Sequence, residues 1–176
     1  MKLRTFVFAA ITIACFAASI CAQGKKAPKL TSVYTSLKTT CKSFDGSNGS
    51  DGYSVCKGPS GYQVRIYYSA TTTQIGAELK GKNDDFPIAT ASLDFKWNSS
   101  KIEWRLANGK PFAVIMRIPK YADPAEGQFL SKVIGQELVV TGLLGFEKLS
   151  TKIDAKTTGA NSLAREAADA EYLAKH

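Results

Sequence analysis

The feature that most constrains the fold is a pair of strand-like segments joined by Asn108 and Gly109, in KIEWRLANGKPFAVIMRI at residues 101–118. Before the pair, apolar residues alternate with charged ones, and an apolar run follows it. Both turn residues tolerate a positive φ, which a type I′ turn requires at its two central positions. The segment therefore predicts a β-hairpin, around which a larger antiparallel sheet can form.

The simplest register of this hairpin places Ala107 opposite Lys110. The same register places Trp104 opposite Ala113. Trp104 alternates with Arg105 along the first strand, and on a half-buried strand such alternation puts one residue in the core and the next in water. We therefore expect Trp104 to be a core residue and Arg105 to be solvated.

Other runs with strand character follow one another through the chain, separated by clusters of turn residues. They lie at 64–69, 71–79, 88–97 and 129–146, and the last is interpreted as two strands broken near Gly135. About seven short strands with turns between them predict a mainly β domain. A small antiparallel β-sandwich and a partly closed β-barrel both fit this pattern.

The clearest helix pattern lies at the C-terminus, in ANSLAREAADAEYLAKH, which is rich in alanine, leucine and glutamate. Asn161 and Ser162 are both residue types that cap helix N-termini. The apolar residues at three- and four-residue spacing form one stripe. They are Leu163, Ala167, Ala170 and Ala174. We expect residues 157–176 to form a helix packed on the β domain, with a free partner-binding helix as the alternative.

The first 22 residues have the three-part pattern of a secretory signal peptide. Lys2 and Arg4 precede an uncharged apolar run that is shorter than the ~20 residues of a membrane-spanning helix. We predict cleavage after Ala22 and export to the periplasm or the medium, with a lipid anchor or an uncleaved leader as alternatives. Residues 23–30 are then predicted to be a flexible basic tether, and residues 31–156 to form the β-rich domain. We predict no membrane-spanning segment in the mature chain.

Removal of the leader takes away two of the four cysteines and leaves Cys41 and Cys56. An even pair of cysteines in an exported chain predicts one disulfide. If Phe44 lies opposite Tyr53, the simplest hairpin register also places Cys41 opposite Cys56. The glycine-rich residues between the two cysteines then form the turn.

The loop between these cysteines also contains Asp45, Asn48 and Asp51, which raises the possibility of a metal site. A calcium loop of the EF-hand type places oxygen ligands at alternate positions and ends on a glutamate. Here the three residues recur at every third position, and the next glutamate is Glu78. We therefore predict a turn without a bound metal or other cofactor.

Several kinds of catalysis are excluded by residue content. The single histidine is His176, the last residue, which argues against Ser-His-Asp and Cys-His catalysis and against metal sites with two histidines. The predicted disulfide removes the cysteine nucleophiles. Asp84 and Asp85 are the one adjacent acidic pair, and they lie in a polar turn where aspartate is a common turn residue. We predict a protein that is not an enzyme, with a carboxylate-only hydrolase as the alternative.

Positive charge is the remaining functional signal. The chain has 23 Lys and Arg against 15 Asp and Glu, a net charge of +8, and the leader carries two basic residues and no acidic one, so the mature chain has +6. Basic residues surround the predicted hairpin, with Trp97 and Phe112 among them. Cations interleaved with aromatic rings can bind anionic polymers. The candidate partner-binding residues are Lys96, Lys101, Trp104, Arg105, Lys110 and Arg117.

These observations predict a non-enzymatic exported β-domain that binds an anionic envelope polymer or a protein partner through the basic hairpin face. Nucleic acid is not an expected partner in this compartment. An inhibitor of a cell-wall-degrading enzyme is a further alternative, which charge repulsion disfavours, because such enzymes are commonly cationic.

Two motifs lie between residues 34 and 118, a Cys…Cys-x-Gly…Gly-Tyr segment and a Trp-Arg…Gly-Lys-Pro-x-Ala-x-Ile-x-Arg hairpin. Their residues are Cys41, Cys56, Gly58, Gly61, Tyr62, Trp104, Arg105, Gly109, Lys110, Pro111, Ala113, Ile115 and Arg117. On these residues the chain resembles small exported bacterial proteins of unknown function. The resemblance implies export and a β-rich fold, and it implies no activity.

The cysteine pair yields a stability prediction. Closing a loop of about 15 residues should stabilise the fold by ~3 kcal/mol, because the cross-link restricts the unfolded chain. Reduction of the mature protein, or replacement of both cysteines by serine, should therefore lower its melting temperature in a calorimetric scan. An unchanged melting temperature would rule out the disulfide as a stabilising cross-link.

Overall fold

The computed structural model describes residues 27–44, 52–69, 71–82, 84–92, 96, 100–122 and 132–176. Within these ranges the chain forms ten strands and two helices. The predicted signal peptide, the loop at 45–51 and Trp97 lie outside the described residues. Neither described helix has the length and apolar character of a membrane span.

The strands form two antiparallel five-stranded sheets. In spatial order, sheet A consists of β1 (Leu30–Ser36), β7 (Lys101–Ala107), β8 (Lys110–Tyr121), β9 (Val133–Gly142) and β10 (Ser150–Asp154). Sheet B, in the same order, consists of β2 (Cys41–Phe44), β3 (Tyr53–Lys57), β4 (Tyr62–Tyr68), β5 (Thr72–Leu79) and β6 (Asp85–Ser92). A short helix, α1 (Leu37–Thr40), joins β1 to β2. A long helix, α2 (Ala160–Lys175), follows β10.

The inner faces of the two sheets pack against each other around Trp104. The indole ring is fully buried, its centre lies 5.8 Å from that of the Tyr62 ring, and its Nε1 donates a hydrogen bond to Thr35 Oγ1 at 2.9 Å. Gly58 lies so close that a Cβ there would be 2.7 Å from the indole. Two packed antiparallel sheets confirm the mainly β fold and match the β-sandwich, which is one of the two predicted architectures. The expected count of seven strands is wrong, because the described residues contain ten.

The Asn-Gly hairpin forms the centre of sheet A. Asn108 has φ 50° and Gly109 has φ 82°, as the predicted turn requires, and Ala107 pairs with Lys110. The predicted pairing of Trp104 with Ala113 is wrong, because Trp104 pairs with Val114. The register shifts at a bulge between Arg105 and Leu106, opposite the proline of β8, and bulges are among the few places where a sheet accommodates proline.

The predicted cysteine hairpin is confirmed. Cys41 pairs with Cys56 across β2 and β3, Phe44 pairs with Tyr53, and the two cysteines are joined by a disulfide. Cys56 is fully buried in the core between the sheets. A disulfide in the fold is compatible with an exported protein.

Three predicted boundaries differ from the structure. The predicted break near Gly135 does not divide the segment into two strands, because β9 runs continuously from Val133 to Gly142, although its pairing with β8 shifts register between Lys120 and Tyr121. Strand β6 begins at Asp85, three residues earlier than predicted. The predicted tether at 23–30 is partly ordered, since both backbone groups of Lys29 bond to Asn108 and β1 begins at Leu30.

Helix α2 covers the outer face of sheet A, so the molecule has three layers. The helix begins at Ala160 after Gly159, which has φ 73°, and not at the predicted caps. The predicted apolar stripe is also wrong. The helix residues packed on the sheet are Ala160, Ala164, Ala168 and Tyr172, whereas Leu163 and Leu173 are exposed. Alanines let the helix backbone approach the sheet, which explains why the larger leucines face water.

Charged residues beneath α2 overturn a further expectation. Strand alternation predicts Arg105 in solvent, yet it is 6% exposed and faces the helix. Its guanidinium donates to both carboxylate oxygens of Asp169, at 2.6 and 2.8 Å, and to Ser32 Oγ at 2.6 Å. Ser32 Oγ donates in turn to Glu103 Oε1 at 2.5 Å, and Arg165 binds the same carboxylate. We call Arg165, Glu103, Ser32, Arg105 and Asp169 the helix-anchoring chain.

Candidate functional site

The six candidate partner-binding residues do not form one surface. Trp104 and Arg105 are buried, at 0% and 6% exposure, and they are committed to the core and to α2. Lys110 lies at the turn of the hairpin and Lys96 is exposed outside the strands. Lys101 and Arg117 lie together at the opposite end of the hairpin from Lys110. The structure therefore divides the set and brings only this last pair together.

Lys101 and Arg117 line a cavity of about 400 Å³ on the outer face of sheet A. The cavity lies beside the first turn of α2, where the helix no longer covers the sheet. We call it the outer cleft. Its polar boundary is formed by Tyr34, Ser100, Lys101, Glu103, Arg117, Gln136 and Asn161.

The two cations of the outer cleft are neighbours on adjacent strands. Ile102 pairs with Met116, and continuing this register by one residue places Lys101 opposite Arg117. Like charges in this position repel each other and destabilise a sheet. Among the described residues, neither cation forms an ion pair, and Arg117 makes a hydrogen bond of 3.4 Å to Asn161 Oδ1. The pair is therefore available to an external anion.

Glu103 contributes a carboxylate to the outer cleft, but its charge is already balanced. Arg165 donates to it from Nε at 2.6 Å and from Nη2 at 3.1 Å, and Ser32 donates at 2.5 Å. Burial opposes its ionisation, but these hydrogen bonds and the charge of Arg165 outweigh that effect and lower the pKa of Glu103. Hydrogen bonding to Glu103 correspondingly raises the pKa of Arg165.

The start of α2 adds to the positive character of the outer cleft. The first turn of the helix contains Asn161 and no acidic residue, and no side chain caps it. The N-terminal end of a helix carries a partial positive charge from its unpaired N–H groups. The cleft thus combines two side-chain cations with the positive end of a helix, which suits an anionic ligand.

Tyr34 and Asn161 were missed by sequence reasoning. Tyr34 is 57% exposed on β1, and its hydroxyl accepts a hydrogen bond from Arg165 at 3.0 Å. Neither residue belongs to a motif, and each reaches the cleft only because β1 and α2 flank the hairpin in space. Local sequence patterns do not show which distant segments pair in space, such as β1 with β7.

The acidic residues offer a test of the hydrolase alternative. Asp84, Asp85 and Glu147 line one cavity of about 520 Å³. The Asp85 carboxylate lies against the backbone of Gly76, so close that a Cβ there would be 2.5 Å from Oδ1. Glu147 Oε1 instead accepts the backbone N–H of Gly145 at 2.6 Å. In the described part of the chain, no three His, Cys, Asp or Glu residues are placed to hold a metal ion.

Partial burial, together with the charge of Glu78, raises the pKa of Asp85. The backbone N–H of Gly145 instead lowers the pKa of Glu147. These opposite shifts have separate local causes.

Comparison with protein-family models, with curated proteins and with solved structures found no match for this chain. The resemblance to exported bacterial proteins stays a prediction.

The lowered pKa of Glu103 has a measurable consequence. Its ionised form stabilises the fold above its ordinary pKa of 4.5, and this contribution disappears as the pH falls through the lower folded value. Glu103→Gln should therefore reduce the free energy of unfolding by about 1.5–3 kcal/mol at pH 7. The difference from wild type should shrink below pH 4.5 in urea titrations. Glu166→Gln, at an exposed site on α2, is the control, and an equal pH dependence in both variants would contradict the assignment.

Proposed function

We propose that this protein is a non-enzymatic exported binding module that holds an anionic polymer or an acidic protein segment in the outer cleft. The observation that carries the proposal is the Lys101 and Arg117 pair. Two cations lie side by side across β7 and β8 with no acidic partner among the described residues. Repulsion between them costs stability, and a bound anion would relieve it.

The surroundings of the pair favour a ligand with several anionic groups. The cleft is open and about 400 Å³ in volume, so that part of an extended chain could lie across it. The net charge of +6 expected for the mature chain would attract such a polymer from a distance. Tyr34, at 57% exposure, offers a ring and a hydroxyl at the edge of the cleft. An envelope polymer bearing carboxylate or phosphate groups has this chemistry.

Export is supported by two independent observations. The first 22 residues have the signal-peptide pattern, and the described fold contains a disulfide that matches an oxidising compartment. Acidic wall or surface polymers are accessible in that compartment. The cavity lined by Asp84, Asp85 and Glu147 is the feature that favours the hydrolase alternative, but the pKa shifts of Asp85 and Glu147 have separate local causes. Charge repulsion disfavours the enzyme-inhibitor alternative.

Reversal of the two charges tests the proposal directly. Lys101→Glu with Arg117→Glu should raise the dissociation constant for dextran sulfate, measured by titration calorimetry, at least tenfold, or about 1.4 kcal/mol. Lys148→Glu with Lys156→Glu makes the same change of net charge at exposed sites away from the cleft, and it should raise the constant less than threefold. Equal losses in both variants would indicate attraction by net charge alone. No loss in the cleft variant would exclude the cleft as the site.

A stability measurement separates function from folding. Because Lys101 and Arg117 repel each other, Lys101→Gln should raise the free energy of unfolding by about 0.2–1 kcal/mol in urea while weakening binding of dextran sulfate. Lys110→Gln, at the far end of the same hairpin, should change neither quantity appreciably. A loss of stability in Lys101→Gln would mean that the cation has a structural role in the cleft.

A further inference from the structure

The outer face of sheet B carries a second arrangement that the outer cleft does not involve. Phe44, Tyr53 and Tyr67 follow one another across the neighbouring strands β2, β3 and β4. The ring centres of Phe44 and Tyr53 are 5.0 Å apart with nearly parallel planes, and those of Tyr53 and Tyr67 are 6.3 Å apart. Phe44 is 44% exposed and Tyr67 is 42% exposed. An aromatic row therefore lies on a sheet face that no described element covers.

Arg65 fixes this row in place. Its guanidinium carbon lies 5.3 Å from the centre of the Tyr53 ring and 5.8 Å from that of Tyr67. Its Nε donates to Glu78 Oε2 at 2.9 Å, and Gln63 also donates to the Glu78 carboxylate. Because Glu78 balances the charge of Arg65, the arginine serves to orient the rings and is not free to bind an anion.

A groove of about 350 Å³ lies beside the aromatic row. Phe44, Val55 and Gln63 form part of its wall. Three lysines surround it, one on β2, one on β3 and one directly after β5. We call it the lysine–aromatic groove. Its defining residues are Lys42, Phe44, Val55, Lys57, Gln63 and Lys80. All three lysines are exposed, and none forms an ion pair with a described residue.

Phe44 gives the groove a flat apolar surface. One face of its ring is stacked on Tyr53, and since β2 is the edge strand of sheet B, no strand among the described residues covers the other face. The C–H groups on one side of a sugar ring can pack against such a surface. Lysine ammonium groups and the amide of Gln63 can donate hydrogen bonds to hydroxyls and to a carboxylate.

We propose that the lysine–aromatic groove binds an acidic sugar unit of a polysaccharide, with the sugar ring on Phe44 and its carboxylate among Lys42, Lys57 and Lys80. A groove of this volume is at the small end of the usual range for ligand sites, about 300–1,000 Å³, which fits one or two sugar rings. Charge complementarity selects an acidic sugar over a neutral one. The site is on the opposite side of the sandwich from the outer cleft and does not depend on it.

The local shape favours a sugar over a membrane surface. Proteins that bind at a bilayer surface insert apolar side chains about 5–10 Å into it. Here the aromatic rings pack on one another and border a concave groove. The carboxylates of Glu78 and Asp85 lie on the same face, where an anionic bilayer would also have to cover them.

The test uses tetragalacturonate as the acidic probe and maltotetraose as the neutral one, both measured by titration calorimetry on the mature chain. Lys42→Gln, Lys57→Gln and Lys80→Gln together should weaken tetragalacturonate binding at least tenfold. The same replacements at Lys132, Lys148 and Lys156 should weaken it less than threefold. In a Lys101→Glu with Arg117→Glu background, which removes the cations of the outer cleft, the three groove replacements should still cause the tenfold loss, which separates this site from the outer cleft.

Variants at Phe44 test the stacking role. Phe44→Leu should weaken tetragalacturonate binding at least fivefold, and Phe44→Tyr should preserve it, with the unfolding midpoint of each variant recorded. Three results would overturn the proposal: no binding of tetragalacturonate, equal binding of maltotetraose, or binding unaffected by the lysine replacements. Lysine-dependent binding to phosphatidylglycerol vesicles without binding to tetragalacturonate would identify a membrane surface and would also overturn it.

Discussion

Two ion pairs between β7 and α2 hold the third layer of the molecule in place. Glu103 binds Arg165, Arg105 binds Asp169, and Ser32 joins the two pairs by hydrogen bonds. Residues two apart on a strand are separated by about 6.8 Å, and residues four apart on a helix by about 6.0 Å. Since the two spacings nearly match, both pairs can form at once when the helix runs along the strand.

The position of α2 decides which basic residues reach the surface. The helix packs over Arg105. Its first turn, at Asn161, marks the limit of the covered part of sheet A, and Lys101 and Arg117 lie beyond that limit, at the border of the open cleft. Arg105 looks like part of the basic hairpin face in sequence, yet its charge is used inside the protein. The proposed binding surface in the outer cleft therefore uses fewer of these cations than the sequence predicted, and α2 forms one of its borders.

Sequence patterns predicted the parts of the fold that depend on neighbouring residues. The Asn-Gly turn and the pairing of Cys41 with Cys56 both follow from local chemistry, and both are present. Period-two alternation correctly identified the face of β7 that packs in the core. It wrongly predicted that the other face is in water, because the pattern of a strand does not show that a helix formed by residues 160–175 packs on it. The charges of Glu103 and Arg105 are complementary to those of Arg165 and Asp169. This complementarity is a sequence signal that could have indicated the packing.

A double-mutant cycle on the helix-anchoring chain tests this account most directly. Arg105→Met alone and Asp169→Leu alone each leave a partly buried charge without its partner, and each should lower the free energy of unfolding by about 2–4 kcal/mol. The double variant replaces the pair with apolar side chains, and it should recover most of that loss. Single variants that cost nothing, or a double variant whose loss equals the sum of the two, would contradict the claim that this ion pair holds α2 on the sheet.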